Sequence, residues 1–280
     1  MKKAMLGALL TVAAMTAQAA TRQNVEASAV VNGTIVLAKD GTVQTAVIDD
    51  PAKYGQAIAD FVQKTAMQWR FKPVLRDGQP VVAKASMHAR VVLTQKPDGN
   101  YNARIKGVTF GDDDPNDTDE LHRAESDKKI PVRYPDLAAN LHVQGTVYLS
   151  LRVNRSGQVT DAVAEQVNLD AIGTDNVIRQ YREELADAAL RAARHWTYVT
   201  PTTGRLAKRD SWTVHQPVTF VLHTRLGETK VPVWQTYVPG PYTPAPWVDK
   251  PDADGADALA DNGLQTDGAG PTLLTPLDHG

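Results

Sequence analysis

The chain has 280 residues and no cysteine, which excludes disulfide bonds, thiolate metal sites and the lipid-anchored cysteine of bacterial lipoproteins. Its formal net charge is −2 and no basic run stands out, so nothing in the composition favours a nucleic-acid partner. A hydrophobic fraction of 42% over this length is sufficient for one or two domains with cores of their own.

Residues 1–19 have the pattern of a secretory signal peptide. Lys2 and Lys3 supply a basic start, an apolar run follows from Ala4 to Met15, and Ala17-Gln18-Ala19 forms an A-x-A cleavage site. The apolar run is shorter than the about 20 residues that a membrane span requires. We therefore predict cleavage near Ala19 and a soluble, exported chain, which without cysteine fits the bacterial periplasm.

Residues 27–95 predict two hairpin strands, a helix and a further strand. The strands VVNGTIVLA and TVQTAVI flank the turn KDG, and apolar residues alternate again from Val81 to Leu93. Asp49 or Asp50 caps the helix between them, with Pro51 in its first turn. The positions expected to form the buried face of this helix are Tyr54, Ile58, Phe61, Thr65 and Trp69.

Residues 107–129 contain the stretch GDDDPNDTDELHRAESDKK, which is charged and has no apolar period. This composition predicts a flexible acidic linker. The aspartates do not indicate a calcium loop of the EF-hand type, because the glycine and the glutamate which that loop requires are out of register.

Residues 130–224 repeat the same order of elements with clearer signals. TVYLSLRVN alternates strictly, NRSG turns with Gly157, and QVTDAVAEQV returns. A helix then ends at His195-Trp196. The residues of its apolar face recur at three- and four-residue steps and are Ile178, Tyr181, Leu185, Ala188, Ala192 and Trp196. SWTVHQPVTFVL forms a last strand whose inner face carries Trp212, Val214, Val218, Phe220 and Leu222. Pro217 lies on the other face and cannot donate to a ladder, so we expect this strand at a sheet edge.

Residues 225–280 are dominated by proline, glycine and aspartate without a persistent period. We predict that this tail is mostly disordered. The aromatic and proline-rich part from Trp234 to Trp247 has the alternative of docking as a polyproline-type segment.

The two repeats together predict an α+β fold. Each would be a two-layer domain in which one helix packs on a three-stranded antiparallel sheet, and the two domains would follow each other in tandem.

The second repeat resembles the C-terminal domain of the TonB family. The resemblance rests on Tyr134-Pro135, the short helix after it, Gly145, the turn ending at Gly157, and the helix ending in His195-Trp196. It covers about residues 130–224, and the first repeat is similar in a degenerate form that lacks the Tyr-Pro pair. A cleavable signal and a folded repeat stand where a full TonB has a membrane anchor and a long spacer.

The resemblance implies a periplasmic protein that binds an outer-membrane receptor by adding an extended receptor segment to its sheet edge. The function expected is therefore linked to TonB-dependent transport. The residues that this implies for partner binding are Pro131, Val132, Arg133, Tyr134, Pro135, His215, Pro217, Thr219 and Val221. An exposed edge would also allow a homodimer.

No motif of an enzyme or cofactor site is present: there is no G-x-S-x-G elbow, no S-x-x-K, no P-loop and no G-x-G-x-x-G. The histidines lack the spacing of a zinc site. We therefore expect no enzyme activity, no metal and no small-molecule cofactor. The alternative function is a structural or adaptor envelope protein that binds the cell wall or a secretion assembly and has no role in transport.

Overall fold

The computed structural model describes residues 25–76, 78–96, 99–111, 116–125, 132–222, 233–248, 255–259 and 263–277. The predicted signal peptide, Pro131 and parts of the predicted linker and tail lie outside these residues. The described chain is α+β with antiparallel sheets, as expected. Within the described ranges, no helix has the length and apolar character needed to cross a membrane.

The first unit consists, in chain order, of β1 Glu26–Leu37, β2 Val43–Ile48, α1 Pro51–Tyr54, α2 Gln56–Ala66, β3 Leu75–Arg76, β4 Gln79–Pro80, β5 Ala83–Gln95 and β6 Tyr101–Phe110. The second unit consists of β7 His122–Arg123, α3 Asp136–Asn140, β8 Gly145–Asn154, β9 Val159–Leu169, α4 Asp175–Ala193, β10 Tyr198–Val199, a 3-10 turn Leu206–Lys208 and β11 Ser211–Phe220. The tail contributes β12 Gln235–Tyr237, a 3-10 turn Ala256–Ala258 and β13 Gln265–Thr266.

Both sheets are larger than the three strands expected for each. The first has the order β12-β1-β5-β6 with β2 also paired to β1, and the second has the order β13-β11-β8-β9. The predicted strands are β1, β2 and β5 of the first sheet and β8, β9 and β11 of the second. The additional strands are β6, which lies outside the predicted strands, and the tail strands β12 and β13, so the predicted strand number was wrong.

Gly55 interrupts the first predicted helix and divides it into α1 and α2. Its φ of 92° lies in the region that favours glycine. Beyond the break the buried residues of α2 are Ala59, Val62 and Ala66, whereas the expected Ile58 and Phe61 are only partly buried. Tyr54 and Trp69 are buried as predicted, whereas the buried positions between them lie one residue later than predicted.

The second helix and last strand agree with expectation. Helix α4 packs on β8 and β9 and buries Ile178, Leu185 and Ala188, and the chain after it buries Trp196. Strand β11 buries Trp212, Val214, Val218 and Phe220 in the same core, which confirms the predicted face.

One local arrangement occurs in both units. Gly41 and Gly157 end the hairpin turns with φ near 80°, at 83° and 76°. The carbonyl of Gly41 accepts the N–H of Phe71, and that of Gly157 accepts the N–H of Tyr198, both at 2.8 Å. Phe71 and Tyr198 each follow by two residues the tryptophan at the end of their unit's helix, so each turn is joined to the end of its helix in the same way.

The predicted acidic linker is largely part of the two units. Residues 107–110 belong to β6, Leu121 is buried in the second core, and β7 pairs with β10. The guanidinium carbon of Arg123 lies 3.9 Å from the centroid of the Trp196 ring. Apolar and cation–π contacts thus order a segment whose polar composition had indicated flexibility.

The described parts of the tail pair with both units, whereas the composition had predicted a mostly disordered segment. Strand β12 pairs with β1, Val238 bridges Leu169 at the outer edge of β9, and β13 pairs with β11. Further on, Leu273 bridges Phe71 in the first unit. The tail therefore contacts one unit, then the other, then the first again, and supplies pairing partners at both edges of the second sheet.

A buried polar layer lies where the tail passes between the units. Lys106 of β6 forms ion pairs with Asp257 at 2.8 Å and with Glu26 at 3.0 Å. Asn168 of β9 donates to the same Asp257 oxygen at 2.7 Å, and Arg90 of β5 donates twice to the Leu259 carbonyl. Because tail residues cover the sheet faces opposite the helices here, neither unit is the simple two-layer domain that was expected.

Candidate partner-binding edge

The segment Val132–Pro135 packs on the end of the last strand. The rings of Tyr134 and Phe220 meet edge to face with centroids 5.4 Å apart. The Tyr134 hydroxyl donates to the Val143 carbonyl at 2.6 Å, and burial, with a smaller contribution from Asp170, raises the pKa of Tyr134 to about 12. Tyr134 is therefore an anchor that holds this segment against β11.

The remaining members of the segment differ in their surroundings. Val132 is partly buried against the second core and Pro135 is buried. Arg133 is the charged residue of this segment. Its side chain is exposed and forms an ion pair at 3.3 Å with the similarly exposed Asp136. The predicted partner residue Pro131 lies outside the described residues.

The backbone of β11 shows which of its residues face outward. Asp267 donates its N–H to the Thr213 carbonyl, so the polar backbone groups of Thr213 point away from β8. In a regular antiparallel strand the same orientation returns at every second residue. His215, Pro217 and Thr219 therefore direct their backbone groups to the outer side, where the missing N–H of Pro217 costs no ladder bond.

The predicted strand residues have different degrees of access. Thr219 is exposed and its Oγ1 lies 3.2 Å from that of Thr146, while Val221 follows the strand end and is partly buried. Pro217 is buried opposite Tyr148. The last strand was expected at a sheet edge, and β13 of the tail covers part of that edge by pairing with Val214 and His215.

The predicted site thus divides into two parts. Tyr134 and Phe220 bring the 132–135 segment next to Thr219 and Val221. His215 lies six residues before Val221, which at ~3.3 Å per residue is roughly 20 Å along the strand. His215 belongs to the covered part of the edge, and Thr219 with Val221 belongs to the part beyond β13.

His215 is the centre of a hydrogen-bonded cluster. Its Nδ1 lies 2.9 Å from Oγ of Ser150, its Nε2 lies 2.9 Å from Oδ1 of Asp267, and Oε2 of Glu165 is 3.9 Å from Nδ1. A serine, a histidine and an aspartate joined in this way by hydrogen bonds are the components of a nucleophilic triad. Ser150 is completely buried, however, so its Oγ is out of reach of a substrate, and we assign this cluster to holding the tail.

A polar cavity of about 710 Å³ lies beside this cluster, between the second sheet and the tail. Its walls carry the charged groups of Arg152, Glu165 and Arg209 and the ring of Trp247. Nε1 of Trp247 has no hydrogen-bond partner among the described residues. Among the residues that the structure describes, no group of three or more His, Cys, Asp or Glu side chains is placed to hold a metal ion.

Sequence reasoning missed the tail residues at this edge, Gln265, Thr266 and Asp267. A two-residue strand is too short for a period, so only the turn signal of the following Asp-Gly pair marked the place.

No protein-family model matches the chain, and neither a curated protein nor a solved structure is significantly similar to it.

Proposed function

We propose that this chain is a periplasmic TonB-like protein that binds an extended segment of an envelope protein, of the outer-membrane transporter type, by strand addition. The site is the outer edge of β11 together with the 132–135 segment. The proposed role is binding linked to transport, without catalysis and without a cofactor. The two units are, on this proposal, copies of one TonB-like module, of which the second binds the partner.

The observation that carries the proposal is the pairing of β13 with β11. An extended segment of this chain adds to that edge in antiparallel register, with Thr266 opposite Val214. The edge is thus able to accept a strand whose backbone supplies the hydrogen bonds, which is the basis of β-augmentation.

The place for a partner is the part of the edge beyond β13. Thr219 is exposed there and directs its backbone groups outward, and Val221 follows. Tyr134 holds the neighbouring segment against Phe220, so side chains of an added strand would meet Val132 and Arg133. Backbone bonds would supply affinity and these side chains would supply selectivity.

Two further observations support a common module. The hydrogen bonds from Phe71 to Gly41 and from Tyr198 to Gly157 join turn and helix end identically. Isolated bridges flank them in the same way, Thr42 with Arg70 and Gln158 with Thr197.

Export to the periplasm rests on the signal-peptide pattern of residues 1–19. Recovery of a mature chain beginning near Ala20 from the periplasmic fraction would test it.

The experiment for binding is an NMR titration of the full chain with a synthetic extended peptide of the TonB-box type. We expect shifts confined to the amides of Val132–Tyr134 and of Thr219–Val221. Thr219→Pro removes an outward N–H and should abolish them, whereas the matched Thr219→Ala keeps the N–H and should preserve them.

The absence of shifts at millimolar peptide, in a chain shown to be folded by its amide spectrum, would contradict the proposal. Co-sedimentation with purified peptidoglycan would then test the adaptor role in its place.

A further inference from the structure

The tail residues at the β11 edge are bound as a ligand would be. Strand β13 aligns Gln265 with His215 and Thr266 with Val214. Beyond it, Asp267 donates its N–H to the Thr213 carbonyl at 3.0 Å. The pairing therefore extends over three consecutive residues of an otherwise irregular segment.

Positively charged and histidine side chains surround the end of this segment. Nε2 of His215 lies 2.9 Å from the Asp267 carboxylate. Arg209 donates to the Asp267 carbonyl at 2.7 Å, and Arg205 donates to the carbonyls of Gly268 and Gly270. Hydrogen bonds with a charged donor or acceptor are roughly twice as strong as neutral ones.

Apolar contacts and a turn complete the docking. Leu264 and Ala269 pack against the core of the second unit, and Thr266 is 2% exposed. The Ala269 N–H donates to the Thr266 carbonyl at 2.9 Å, which reverses the chain after Asp267. Residues Leu264–Gly270 thus present an apolar side chain, a small buried side chain, an acid and a turn in succession.

We propose that the Thr213–His215 part of the β11 edge recognises an extended acidic segment, and that Leu264–Gly270 is a resident occupant which a partner segment must displace. The proposal rests on the proposed function, since it assigns regulation and selectivity to the same edge. The partner segment would carry an aspartate or glutamate opposite Thr213, within reach of His215, and a small residue before it.

Charge complementarity supports this choice of partner. The loop before β11 carries Arg205, Lys208 and Arg209 within five residues. The tail between residues 249 and 267 carries six aspartates and a single lysine. A basic loop beside an edge that already holds an acidic segment favours partners of the same charge.

Occupation by the chain's own segment lowers the affinity for any partner. A tethered segment competes at an effective concentration that reaches the millimolar range for short flexible connections. The apparent dissociation constant of a partner rises as the fraction of molecules with an unoccupied edge falls. A partner that pairs along all of β11 therefore binds only when Leu264–Gly270 has left the edge.

The test uses the full chain and the peptide GLQTDGAG, which copies residues 263–270. Gln265→Pro removes an N–H that points to β11, because it lies two residues before the bonded N–H of Asp267. Gln265→Ala removes the same side chain and keeps the N–H. Asp267→Asn is a second, milder variant, which removes the charge next to His215.

We expect the peptide to bind the Gln265→Pro chain at least about tenfold more tightly than it binds the native chain or the Gln265→Ala chain. A peptide with asparagine in place of the aspartate should bind about tenfold more weakly than GLQTDGAG. Hydrogen exchange at the His215 amide should accelerate in the Gln265→Pro chain and stay unchanged in the Gln265→Ala chain. Asp267→Asn should give intermediate values in both measurements.

Equal peptide affinity for native and Gln265→Pro chains would overturn the competition, and indifference to the aspartate would overturn the acidic selectivity. A native dimer that Gln265→Pro dissociates would assign the edge to tail exchange between two copies, and would likewise overturn the proposal. If the TonB-box peptide shifts the Thr219 amide resonance but GLQTDGAG does not bind the Gln265→Pro chain, this inference alone fails. If neither peptide binds any variant, the proposed function fails with it.

Discussion

The ammonium group of Lys106 lies 2.8 Å from the carboxylate of Asp257, although the two residues are 151 positions apart in sequence. Lys106 belongs to the first sheet and Asp257 to the tail, and Asn168 of the second sheet donates to the same carboxylate oxygen. One buried carboxylate thus joins three parts of the chain that the sequence presents as separate.

Replacing this carboxylate by a neutral amide, Asp257→Asn, should destabilise the chain by about 3 kcal/mol, since it leaves the buried Lys106 charge with Glu26 as its remaining carboxylate partner. Urea unfolding at neutral pH measures the loss. Asp161→Asn is the matched control, because Asp161 pairs with Arg152 at 3.8 Å with both side chains about half exposed, and it should cost less than about 1 kcal/mol. Equal losses would contradict the buried role of Lys106.

The glycines of the two hairpin turns should be intolerant of a side chain. A Cβ at Gly157 would lie 1.9 Å from the Tyr198 carbonyl oxygen, and a Cβ at Gly41 would lie 2.0 Å from that of Phe71. Gly78 has a similar φ of 76° but nothing within 4 Å of its Cβ position. Gly78→Ala should therefore cost only the conformational strain of about 1–2 kcal/mol.

We expect Gly157→Ala and Gly41→Ala each to cost more than Gly78→Ala, because the backbone contact must open in addition to the strain. Thermal unfolding of the three variants provides the comparison. A similar loss of stability in all three variants would mean that the contact between each turn and its helix end contributes nothing to stability.

Tyr134→Phe should destabilise the chain by about 1 kcal/mol at neutral pH, because the Val143 carbonyl loses its donor. Tyr101→Phe, at an exposed tyrosine, should be close to neutral. The raised pKa of Tyr134, about 12 against an ordinary 10.0, means that folding favours the neutral phenol. This contribution is complete below pH 10 and is lost as the pH rises through about 12.

Alkaline unfolding measures this difference. The native chain should lose more stability over that range than the Tyr134→Phe chain does. Parallel losses would contradict burial as the cause.

Glu120 should show the same kind of pH dependence as Tyr134, but in the acidic range. Burial, and then the nearby Asp117, raise the pKa of Glu120 above its ordinary 4.5, while its Oε1 accepts the N–H of Gly270 at 3.2 Å. The protonated form is favoured in the folded state, so its stabilising contribution is present below the ordinary pKa and lost as the pH rises through the folded one.

Glu120→Gln keeps the acceptor for Gly270 and removes the titration. Its stability relative to the native chain should therefore increase between about pH 4 and about pH 7. Urea unfolding at both pH values measures the change. A constant difference between the two chains would exclude a titrating Glu120.

Local patterns were sufficient where one element determines its own buried face. The alternation in β8 and β11 and the three- and four-residue steps in α4 correctly placed Val214, Phe220 and Leu185 in the core. These predictions succeed because the period of a strand or a helix is visible within about ten residues. The turn at Gly157 was predictable for the same local reason.

The first helix shows the limit of such patterns. Gly55 breaks it, and beyond the break Val62 is fully buried while Phe61 is only partly buried against the core. The short tail strand β13 shows a second limit, because two residues carry no period and its pairing partner is far away in sequence.

The sequence by itself determined the α+β class, the order of the predicted strands and helices within each repeat and the inner faces of α4 and β11, because each depends on neighbouring residues. Tertiary structure alone decided that the tail occupies the β11 edge, and that Arg90, Lys106 and Asp257 are buried together. From the local sequence, charged residues are predicted to be exposed to solvent. Their burial is possible here because partners from distant positions in the chain offset the cost of removing the charges from water.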